Sequence, residues 1–72
     1  MDKPELPLAL MARLIKNAGA SRVSEDAKIT LAQILEDLAK ETSKRAASIA
    51  ARSKRKTIKA DDIRIAAREV WG

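Results

Sequence analysis

The sequence predicts an all-α protein of three helices: short, long and short. Glycine and proline are scarce, with Pro4 and Pro7 near the start, Gly19 after the first apolar segment and Gly72 at the end. The residues between them are mostly good helix formers, namely Ala, Leu, Lys, Arg, Glu and Ile. Apolar side chains recur at three- and four-residue intervals, the period of a helix and not of a strand.

The first helix is expected from about Leu6 to Ala18. Pro7 suits a first turn, where its missing N–H is not needed. Leu10, Leu14 and Ala18 form an apolar stripe with Met11 and Ile15 beside it, while Arg13 and Lys16 face away. Gly19 is a stop signal. The second helix is expected from Glu25 to Arg52, with Ser24 as its N-cap and Glu25 and Asp26 in the first turn, where carboxylates favour the helix dipole. Ala27, Leu31, Ile34, Leu35, Leu38, Thr42, Ala46 and Ile49 keep one apolar stripe along it, beside a row of small residues, Ala39, Ser43, Ala46, Ala47 and Ala50. The third helix starts near Ala60, with Asp61 and Asp62 in its first turn and Ile63, Ala66, Ala67 and Val70 as its apolar face. The connectors Ala20–Val23 and Lys54–Lys59 each hold a β-branched residue that allows a brief extended stretch.

Composition narrows the function. The chain has 72 residues, 46% apolar and 35% charged, which fits one folded domain over residues 1–72. It has no Cys, His or Tyr, so disulfides, thiolate chemistry, a histidine base and a zinc site are excluded. The longest apolar run, Leu6–Ala12, contains Pro7 and is too short for a membrane span or a secretory signal. No enzymatic activity and no cofactor are expected. Residues 1–36 carry five basic and five acidic side chains, whereas residues 37–72 carry ten and five, so the net charge of +5 lies in the second half. Arg52, Lys54, Arg55, Lys56 and Lys59 have no acid between them. A localised cationic block of this kind points to a polyanion partner.

The long helix also sets an oligomeric expectation. Twenty-eight residues span roughly 42 Å at ~1.5 Å per residue. A compact globule of this chain length has a radius of gyration of roughly 11 Å. The stripe would run beyond what two short helices cover, so a second copy is the simplest partner. The competing reading is a monomeric bundle whose long helix breaks near Thr42–Ser43.

Two segments carry a resemblance. Ala18-Gly19-Ala20-Ser21-Arg22-Val23-Ser24-Glu25-Asp26-Ala27 and Arg55-Lys56-Thr57-Ile58-Lys59-Ala60-Asp61-Asp62-Ile63, at their separation, resemble the two loops of an archaeal histone, and Leu6-Pro7, Arg13 and Ile15-Lys16 match its first helix. The match runs without gaps from Glu5 to Val70. The resemblance implies a histone fold paired head to tail as a handshake homodimer that binds and wraps double-stranded DNA, on the chromosome (the nucleoid) in the cytoplasm. It implies DNA-binding roles for Arg13, Lys16, Arg22, Lys56, Thr57 and Lys59, with Arg22 entering the minor groove. It implies an intrachain pair of Arg55 with Asp62, a dimer–dimer contact from Ile49, Arg52, Asp62 and Ile65, and stacking of successive turns through Gly19, Asp37 and Arg68. Arg52 departs from the pattern, because the best-known members carry a histidine there; an arginine does not titrate near neutral pH. It either pairs with Asp62 of another dimer or weakens that contact by repulsion. Met1–Glu5 is short and the chain ends soon after the third helix, so tail-based regulation is not expected.

Other readings compete. A helix-turn-helix regulator needs a short recognition helix, against which the long central helix argues. The alternative is a histone-fold subunit pairing with a different histone-fold protein as a scaffold, since the sequence leaves mixed dimers open. Asp61 and Asp62 together could hold a hard cation, but adjacent first-turn acids usually serve the helix dipole. Lys44 and Lys54 read equally as solvated surface charge. Trp71, the sole aromatic, is expected to pack as a lid on the core, in preference to wedging between bases.

Overall fold

A computed structural model describes residues 4–72. Most of the short N-terminal extension expected over Met1–Glu5 therefore lies outside the described residues. The structure contains three α-helices, α1 (Leu8–Asn17), α2 (Glu25–Arg52) and α3 (Ala60–Trp71), and no strand among the described residues. The connectors, with Val23 and Ile58, form no extended bridge.

Helix α1 begins two residues later than the periodicity suggests. Pro7 is its N-cap, extended at φ −63° and ψ 127°, and its carbonyl accepts from the Met11 N–H at 3.3 Å. A residue before proline is pushed out of helical space, so Leu6 cannot join the helix. At the other end the Gly19 N–H donates to the Lys16 carbonyl at 2.9 Å and the Ala20 N–H to the Ile15 carbonyl at 3.4 Å. This pair of bonds is a Schellman closure, and Gly19 takes the required positive φ, 117°.

Helix α2 is capped by Ser24, whose Oγ accepts from the Ala27 N–H at 3.1 Å. The helix then continues unbroken through Thr42 and Ser43. The Thr42 hydroxyl donates back to the Leu38 carbonyl at 2.6 Å, so a residue with poor helix propensity is accommodated inside the ladder. The C-terminus repeats the Schellman pattern, with the Lys54 N–H on the Ala51 carbonyl and the Arg55 N–H on the Ala50 carbonyl, both 2.9 Å. Here a lysine occupies the left-handed position, with Lys54 at φ 58°.

The chain divides into two compact units, Met1–Glu36 and Asp37–Gly72. In the first, Met11 and Ala32 are buried, and the Glu5 N–H donates to Glu36 Oε2 at 2.9 Å. Leu10, Leu14 and Ile34 are exposed. In the second, Ala46, Ala50 and Ala66 are buried together with Thr42 and Asp62. Arg45 of α2 forms an ion pair with Glu69 of α3, and the Trp71 indole N–H donates to Thr42 Oγ1 at 2.8 Å.

The apolar faces differ from their sequence outline in a consistent way. Ala27, Ile34 and Ile63 were expected on covered faces and are exposed. Trp71 is not a closed lid: its indole N–H is fastened, yet the residue is 59% exposed. Of the row of small residues, Ala46 and Ala50 are buried while Ala39, Ser43 and Ala47 are not. Periodicity marks every apolar face of a helix, whereas one protomer covers only part of them.

The two Schellman ends make a matched test of backbone strain. Left-handed backbone costs a side-chain-bearing residue roughly 1–2 kcal/mol. Gly19→Ala is expected to destabilise by about 1 kcal/mol even though a Cβ there meets no atom within 4 Å. Lys54→Gly is expected to stabilise by about 0.5–1 kcal/mol, since it relieves that cost. Thermal melts at one fixed protein concentration check both signs.

Candidate nucleic-acid interface

The loop between α2 and α3 is built around one buried carboxylate. Asp62 is 3% exposed and stands in the first turn of α3. Its Oδ2 accepts from Arg55 Nη1 at 2.8 Å and its Oδ1 from Arg55 Nη2 at 2.9 Å, a bidentate pair. Oδ2 also accepts the Lys59 N–H at 2.8 Å, which caps α3 from within. Arg55 Nη1 further donates to the Thr57 carbonyl at 3.2 Å. Arg55, Thr57 and Lys59 are thereby held to one anchor. The Arg55 guanidinium, then the Lys59 N–H, hold the Asp62 carboxyl down at about 2.

This anchoring sorts the cations of the loop. Arg55 is half-buried and spent on Asp62, whereas Arg52, Lys54, Lys56, Thr57 and Lys59 are exposed. The loop between α1 and α2 has the complementary design. Arg22 is exposed two residues before the Ser24 cap, next to the electropositive start of α2. Arg13 and Lys16 are exposed on α1, as is Gly19 at its end. Among the other expected residues, Ile49 is half-buried, and Asp37, Ile65 and Arg68 are exposed. Arg13, Lys16 and Arg22 thus belong to the first unit, and Lys56, Thr57 and Lys59 to the second.

Sequence reasoning missed three features. The Arg45–Glu69 pair lies 24 residues apart, so no local spacing marks it. The left-handed Lys54 has no glycine to signal it. The bond from Trp71 to Thr42 joins residues 29 apart. A groove of about 420 Å³ lies between Glu41, Lys44, Arg45, Ser48, Glu69 and Val70, but Lys44 pairs with Glu41 and Arg45 with Glu69, so its charges are mutually compensated. Among the described residues there is no metal-binding group of carboxylates and no helix long and apolar enough to cross a membrane.

A short–long–short helical chain with cationic loops defines a class, the histone-fold proteins. The chain belongs to the family described as histone-like transcription factor (CBF/NF-Y) and archaeal histone, whose model matches residues 4–67. It is 53% identical over 62 residues to a subunit of the archaeal histone HAN1 of Thermococcus zilligii, covering 86% of this chain and 92% of that protein. It is 44% identical over 64 residues to probable archaeal histone 3 of Methanocaldococcus jannaschii, covering 89% of this chain and 96% of that protein. The fold is accordingly the histone fold, and the role is that of a DNA-binding chromatin protein.

The depressed pKa of Asp62 has a stability consequence with a definite sign. A carboxyl whose folded pKa lies below its unfolded value stabilises the fold above the unfolded value, near 4. That contribution is lost as pH falls through about 2. Denaturant titrations are expected to show stability declining between about pH 4 and 2, with Asp62→Asn less stable at neutral pH and flatter over that acid limb.

Proposed function

We propose that this protein is an architectural chromatin protein which binds and wraps double-stranded DNA as a handshake homodimer, largely without regard to sequence. Residues 1–72 act in this reading as one histone-fold domain. The single observation that carries it is the sorting of side chains at the second loop: Asp62 withdraws Arg55, and the cations Lys56 and Lys59 with the Thr57 hydroxyl are left facing solvent. Contacts of this type meet phosphates and fix register without reading bases. In a head-to-tail dimer the first loop of one protomer lies beside the second loop of its partner. Arg22 of one protomer then joins Lys56 and Thr57 of the other, and Arg13 and Lys16 serve a central site. Such binding selects for DNA that bends easily. Its place in the cell is the nucleoid, in the cytoplasm.

Dimers are proposed to assemble further on DNA. Ile49 and Ile65 supply apolar contact, and Arg52 of one dimer approaches Asp62 of the next. Both Asp62 oxygens already accept from Arg55, so an incoming Arg52 shares that carboxylate and does not replace its partner. Gly19, Asp37 and Arg68 are the proposed contacts between successive turns. The alternative reading is a subunit that pairs with another histone-fold protein; the relative from Thermococcus zilligii is itself named as a subunit.

Salt titrations of duplex binding test the central reading. Arg22→Ala and Lys56→Ala are each expected to weaken binding to all duplexes alike and to flatten the salt slope by about one for each phosphate no longer engaged. A changed base preference at unchanged total affinity would contradict wrapping. Micrococcal nuclease digestion separates the assemblies: a ladder of regular steps indicates a growing filament, and a single fragment an isolated particle.

A further inference from the structure

We infer that Trp71 is an anchor of the protomer–protomer interface, its exposed ring packing on the long helix of a second copy where the two long helices cross. The inference rests on the homodimer reading above and deepens it with a residue that the loop motifs do not include.

The placement comes from two hydrogen bonds. The Trp71 indole N–H donates to Thr42 Oγ1 at 2.8 Å, and that hydroxyl donates to the Leu38 carbonyl at 2.6 Å. The relay pins the end of α3 to a defined level of α2. That level is the middle of the helix: Glu25–Arg52 has 28 residues, and its midpoint falls between Leu38 and Ala39. In a twofold pair of equal rods, mutual coverage is greatest when they cross at their midpoints, and an isologous contact places the same residues at the crossing from both sides. Trp71 of each protomer is therefore fastened within one turn of the crossing.

The exposure pattern fits a second copy as the occupant. The polar end of the indole is satisfied within its own chain, and the residue as a whole remains 59% exposed. A satisfied N–H and an open π-face suit burial against an apolar neighbour. Leu38, at the midpoint, is half-buried, and Ile34, one turn before it on the same row, is 50% exposed. The partner's equivalent row would meet the ring.

Trp71 is the sole tryptophan, and tyrosine and phenylalanine are absent, so its emission reports this contact without interference. The full chain is studied at a concentration where light scattering gives a dimer, and acrylamide quenching is read without DNA. The expected result is a blue-shifted emission protected from quencher. A dimer whose tryptophan is as quenchable as in the unfolded chain would overturn the inference and leave the homodimer reading standing, as would protection that appears only when DNA is added. A folded monomer by light scattering would overturn both. In equilibrium sedimentation Trp71→Ala is expected to raise the dimer Kd by roughly thirty-fold or more, as for a central aromatic anchor, while Trp71→Phe, which keeps a ring, stays within roughly five-fold of the parent. An alanine variant with the parent Kd would also overturn the inference.

Discussion

One shortage governs the molecule: its long helix carries more apolar surface than the rest of the chain can cover. Among the described residues the buried apolar side chains are Met11 and the alanines at 32, 46, 50 and 66, so the apolar core is made mostly of small groups. Larger apolar residues, Leu10, Leu14, Ile34, Ile58, Ile63, Ile65 and Trp71, remain exposed. Burial of a large aliphatic side chain is worth about 1.5–3 kcal/mol, and an alanine far less. A chain of this size, with no cysteine for a disulfide, has little else to set against its conformational entropy. The polar devices that are present, the Ser24 cap, the two Schellman closures and the Asp62 anchor, set where helices begin and end. They do not replace a core.

The same economy shapes the functional surface. Asp62 closes the second loop, caps α3 and holds the half-buried Arg55. A carboxylate placed this way within a basic run lets the loop be rigid and cationic together. Without it, the cluster from Arg52 to Lys59 would repel itself into a disordered segment. The left-handed Lys54 belongs to this design, since it turns the chain sharply out of α2 into the loop while keeping a positive charge. In the proposed DNA-binding reading, order in the loop lowers the entropic cost of meeting phosphates.

Much of this was legible in the sequence. The order and lengths of the helices followed from period and caps: Ser24 and the acids after it mark the start of α2, and its end at Arg52 agrees with the structure. The start of α1 was read two residues early because the constraint of Pro7 on the residue before it outweighs apolar spacing. The loop cations were visible as a run of like charge, but their division into inward Arg55 and outward Lys56 and Lys59 came to notice only through family resemblance. Burial was the least legible property. Ala27, Ile34 and Ile63 keep helical spacing and are exposed, because spacing specifies a face and not what covers it. Contacts between distant residues, Arg45 with Glu69 and Trp71 with Thr42, leave no mark on any local pattern.

Coupling of folding to association is the most direct consequence of so thin a core. Helix content followed by circular dichroism over a dilution series, with the thermal midpoint recorded at each concentration, reads it without DNA. The account predicts a midpoint that falls steadily with dilution and helicity that disappears together with the dimer. A midpoint independent of concentration, with full helicity persisting in the monomer, would contradict it.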